Sequence, residues 1–120
     1  MDDFLQSFTD TTVAVLRSDG IEGYLPTLVI PSQATVTVIQ GIGPGASHTS
    51  ALIETINERG LNDEELLFGV KSGSNSVVTG HYVPGARSQF IEITQVGGEF
   101  KQRPLHDCGW WTVTSTKRPH

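Results

Sequence analysis

Apolar and polar positions change rhythm several times along this chain. Phe4, Leu5 and Phe8 are spaced to share one side of a helical turn or two, behind Asp2 and Asp3, whose carboxylates suit the positive end of a helix. Residues 1–10 therefore predict an N-terminal arm or short helix, docked either on the chain's own core or on a neighbouring subunit. Thr11 to Leu16 is rich in β-branched and apolar residues and predicts a strand, stopped by Ser18-Asp19-Gly20. Thr27-Leu28-Val29-Ile30 lies between Pro26 and Pro31. Proline donates no ladder hydrogen bond, which restricts this run to a sheet edge or an extended linker. Ala34 to Ile39 alternates threonine and valine, the pattern of a half-buried strand.

The rhythm then turns helical. Ser47 or Thr49 can cap a helix that carries Leu52, Ile53 and Ile56 on one face and stops at Gly60, placing it at about residues 48–59. Asn62 to Glu65 is an acidic turn, and Leu66 to Val70 a strand or buried connector. Val77 to Val83 and Gln89 to Val96 read as strands, parted by Pro84-Gly85. Gly97-Gly98 is a hairpin turn into Glu99-Phe100-Lys101, and Trp110 to Thr114 predicts a last strand. The fold class is mainly β: a small antiparallel barrel or sandwich with one short helix. Residues 11–116 form a single β-rich domain, followed by a polar tail at 117–120.

Composition narrows the function. The 120 residues suffice for one domain with its own core, and 37% hydrophobic with 18% charged residues is an ordinary globular balance. The net charge of -5 argues against gripping nucleic acid, which needs a basic face; the basic residues cluster only at Lys101, Arg103, Lys117 and Arg118. An acidic surface can still line a passage for DNA, where repulsion prevents sticking. A lone cysteine, Cys108, excludes an internal disulfide framework and fits a reducing compartment. No apolar run is long enough to span a membrane, and the acidic start is unlike a signal peptide.

Three motifs invite chemistry, and each lacks a part. Gly41-Ile42-Gly43-Pro44-Gly45 precedes a helix, as in a nucleotide-binding turn, with Ala46 at the third glycine position, where alanine can substitute. The acidic residue needed about 20 positions on, at the end of a second parallel strand, has only Glu64 and Glu65 near that distance. Glu64 and Glu65 lie in a polar turn, and no lysine follows the glycines as a P-loop needs. On a strand His106 and Cys108 would share a face and could form a Cys–His nucleophile or half a metal site, but His48, His81 and His120 are remote in sequence. No serine sits in a nucleophile elbow. The expectation is no catalytic, cofactor-binding or metal residue, and no enzyme. The partner-contact candidates are Phe4 and Phe8 on the arm and Trp110 and Trp111, one of which a strand would turn away from the core.

The C-terminal third, Phe90-Ile91-Glu92-Ile93, Gly97-Gly98-Glu99-Phe100-Lys101 and Gly109-Trp110-Trp111-Thr112-Val113, resembles the end of the head-closure or head–tail joining proteins of tailed-bacteriophage necks. The likeness extends over most of residues 11–115, with Phe100 where the family usually carries tyrosine. It implies a β-barrel whose copies form a ring between portal and tail, a structural virion protein assembled in the host cytoplasm. Its partners would be its own subunits and the portal, adaptor and tail proteins. The genome would pass nearby without sequence-specific binding, and no membrane would be involved. The alternative is a small inhibitor or immunity-type module that blocks another protein.

Overall fold

In the computed structural model, which describes residues 3–116, one six-stranded sheet carries a helix on each face. The elements run α1 (Asp3–Asp19), β1 (Thr27–Ile30), a 3-10 turn (Pro31–Gln33), β2 (Thr35–Val38), α2 (His48–Glu58), β3 (Leu66–Gly73), β4 (Ser76–Tyr82), β5 (Gln89–Val96) and β6 (Glu99–Leu105). The strand order is β2-β1-β3-β4-β5-β6, with every neighbouring pair antiparallel. The sheet is open, ending on β2 and on β6. The mainly β, antiparallel expectation holds, with two helices where one was expected and a sheet that does not close into a barrel. The helix expected at about 48–59 is α2, whose Ser47 cap accepts a hydrogen bond from the Ser50 amide.

Thr11 to Leu16 is not a strand. It belongs to α1, whose buried residues Leu5, Thr9, Thr12, Val13 and Leu16 recur at helical spacing. Threonine disguises the stripe. Thr9 and Thr12 donate their hydroxyls to the carbonyls of Leu5 and Phe8, one turn back, at 2.7 and 2.9 Å, and so can be buried with their polar atoms paired. Thr9 also meets Thr79 of β4, hydroxyl to hydroxyl, at 2.7 Å.

The prolines do not confine β1 to an edge. They stand just outside it, and all four of its residues pair with β2 while Thr27, Leu28 and Val29 also pair with β3. The true edge is β2, and three of its four residues are exposed, not half-buried as the alternation implied.

Side chains alternate between two cores. Leu66, Phe68 and Val70 of β3, Val78 and Tyr82 of β4 and Phe90 of β5 pack with Leu52 and Ile56 of α2. Val77 of β4 and Ile93 of β5 pack on the other face with Val13 and Leu16 of α1 and with Ile21 and Tyr24. Central strands covered on both sides lose the in–out alternation, so Leu66 to Val70 is buried without a break. The last predicted strand is absent. After β6 the chain turns, with the Trp111 amide donating to the Cys108 carbonyl at 3.0 Å, and crosses the α2 face as an irregular strap. The strap is pinned where Asp63 accepts hydrogen bonds from the Ser115 hydroxyl (2.9 Å) and from the amide (2.8 Å) and hydroxyl of Thr116. The expected tail at 117–120, and Asp2 at the helix start, lie outside the described residues.

Candidate functional site

Among the described residues, Val15, Val36 and Val38 gather exposed apolar surface at the β2 end of the sheet, while Phe4, Val83 and Val96 are exposed elsewhere. Helix α1 lies over β3, β4 and β5, and the same face of β1 and β2 is covered only in part, Thr27 and Val29 being half-buried and Val36 and Val38 exposed. Cross-strand pairing puts Val36 beside Val29 and Val38 beside Thr27 on that face, while Leu28 and Ile30 point into the α2 core. Val36 is 66% exposed, Val38 46% and Val15 of α1 41%. A shallow groove of about 230 Å³ runs between Val15, Asp19, Tyr24, Leu25 and Val38.

The two edges differ in chemistry. Native sheets guard their edges with charge and proline. β6 has both: Lys101, Arg103 and Pro104 are exposed, and Arg103 pairs with Glu92 of β5 at 2.7 Å. β2, Thr-Val-Thr-Val, has neither. The Thr35–Val38 alternation was visible in the sequence, but only the strand order makes its outer side an open ladder.

The predicted contact residues take different roles. Phe4 is 70% exposed and its ring meets His81 edge-on at a centroid distance of 6.3 Å, whereas Phe8 is half-buried between α1 and the sheet. Trp110 and Trp111 do not face opposite sides, because the turn before them breaks strand alternation. Both lie on the α2 face in one aromatic cluster. Trp111 stacks on Phe68 at 4.6 Å and 9°, and Trp110 meets Phe68 edge-on at 5.7 Å. Trp111 is half-buried against the core, its indole N–H buried with no acceptor among the described residues. Trp110 walls a groove of about 510 Å³ whose opposite side is α2, with Glu54 and Glu58 on it.

The strand that was to align His106 with Cys108 ends at Leu105. Burial, then the carboxylates of Asp107 and Glu92, push the Cys108 thiol up to about 11. At neutral pH only about one thiol in ten thousand would be ionised, the reverse of what a nucleophile needs. Among the described residues no three His, Cys, Asp or Glu side chains converge as a metal site.

The glycine loop leads into α2 as expected, but the sheet has no adjacent parallel strands to form a dinucleotide crevice. The acidic pair is engaged elsewhere: Glu64 accepts from the Ser32 hydroxyl at 2.9 Å, and Glu65 lies 2.7 Å from His81 Nε2. The Glu65–His81 contact escaped the sequence, since nothing in a sixteen-residue separation announces it.

No described helix is long and apolar enough to cross a membrane. In comparisons with protein-family models, curated proteins and solved structures, the chain matches none.

Proposed function

We propose that this protein works by binding other proteins, as a subunit of a ring in the neck of a tailed-phage particle, between portal and tail and around the DNA channel. The observation that carries the reading is the pair of open sheet edges at opposite ends of the molecule, one bordered by the exposed Val15, Val36 and Val38. An apolar surface next to an unguarded edge is what a protein contact uses. The resemblance at residues 90–113 supplies the setting, and the net charge of -5 suits a surface that lets DNA pass without holding it.

Size-exclusion chromatography with light scattering, alone and with a portal ring, tests the proposal. The expected result is a closed assembly of six or more copies. A monomer at every concentration in both samples overturns it, and a strict one-to-one complex with an enzyme would instead establish the inhibitor alternative.

A further inference from the structure

We infer that neighbouring copies join head to tail, β2 of one against β6 of the next, continuing the sheet across the subunit boundary. This rests on the ring reading and names its contact. The strand count favours it. Six strands alternate strictly in direction, so β2 and β6 run opposite ways. A second copy placed in the same orientation therefore brings its β2 antiparallel to β6, with matching faces on matching sides. On the α1 face, Val36 and Val38 then adjoin the neighbour's Phe100 and Gln102. On the α2 face, Thr35 and Thr37 adjoin its Lys101 and Arg103.

Charge selects this arrangement over pairing like edges. At the β2 end Asp19 shares a groove with Val38, and Glu54 and Glu58 share one with Ile39, against Arg59, which reaches the Thr37 hydroxyl at 3.4 Å. The β6 strand carries Lys101 and Arg103 against Glu99, with Arg103 already paired to Glu92 of β5 at 2.7 Å. A β2–β2 contact would set acidic rim against acidic rim, whereas β2–β6 sets that rim against Lys101. A head-to-tail contact also leaves one edge of each kind free for the next copy, as a ring requires.

Charge reversal tests the contact. Lys101→Glu alone, or Glu54→Lys with Glu58→Lys, is expected to weaken association at least ten-fold by light scattering, with an unchanged circular-dichroism spectrum. All three substitutions in one chain restore it. In a Cys108→Ser background, Val36→Cys with Gln102→Cys, on one face, should oxidise to a ladder of multimers. Val36→Cys with Lys101→Cys, on opposite faces, should not. If the assembly persists unchanged through both reversals, or neither cysteine pair gives a ladder while the assembly forms, the β2–β6 contact is wrong and the ring reading stands. A protein that is monomeric throughout removes both.

Discussion

Gly80→Ala should be among the most damaging single-methyl additions in this protein. Gly80 lies mid-strand in β4 with Phe68 of β3 on one side and Phe90 of β5 on the other, their ring centroids 6.2 Å apart. A Cβ at residue 80 would fall inside the contact distance of the Phe68 ring edge, at Cζ and Cε2, and 3.1 Å from Phe90 Cδ1. Phe68 cannot retreat: it is fully buried, with Trp111 stacked on it at 4.6 Å. Overpacking a close-packed core costs about 1–3 kcal/mol, and a ring held on both sides places this site at the upper end, about 3 kcal/mol. For a chain of this size that is a loss of about 10 °C in Tm. Urea unfolding followed by tryptophan fluorescence measures it, with Trp111 reporting from the site. Phe68→Leu costs stability in the wild type by removing ring contacts, but in the Gly80→Ala background it relieves the clash. The double variant should therefore be more stable than the two single losses added together, by 1 kcal/mol or more on the order expected for touching residues. A Gly80→Ala protein within about 0.5 kcal/mol of wild type, or strictly additive losses, would refute the packing described for this core.

Three further outcomes follow from polar contacts. Thr9→Val or Thr79→Val alone should cost about 1 kcal/mol by leaving a buried hydroxyl short of a partner, while the double variant costs less than the sum, as a urea double-mutant cycle would show. Asp63→Ala removes the acceptor for Ser115 and Thr116, so the strap should loosen, with faster hydrogen exchange at the Thr116 amide and a stability loss of about 1–2 kcal/mol. Because the folded Cys108 thiol is raised to about 11 from 9.0, its contribution to stability is full below pH 9 and is lost as pH rises towards 11. Cys108→Ser should flatten that part of the pH profile of the urea midpoint, with the remaining slope owed partly to Tyr24 and Tyr82, which burial also raises.

Local signals located most elements. The Gly97-Gly98 turn, the strand over 89–96 and the capped helix near 48–59 were all legible, because each is set by contacts within a few residues. The helical nature of 11–16 was not. Thr9 and Thr12 count as polar in any pattern, yet with their hydroxyls paired to the preceding turn they are buried, and Thr9 pairs with Thr79 as well. The candidate site was still less legible. Phe4, Phe8, Trp110 and Trp111 stood out by size, but stacking on Phe68 draws Trp111 against the core, whereas the small residues Val36 and Val38 of β2, together with Phe4, are left exposed.

By itself, then, the sequence determined a β-rich domain of ordinary globular composition, with its turns in place and its acidic charge decided, since these depend on residue type and near-neighbour spacing. Only the tertiary structure decided which strands end the sheet, which face α1 covers only in part and which bulky residues are spent on the core. Those are outcomes of strand order and layer packing, which join residues far apart in the chain. The guarded β6 edge and the unguarded β2 edge acquire meaning only once both are seen to be edges.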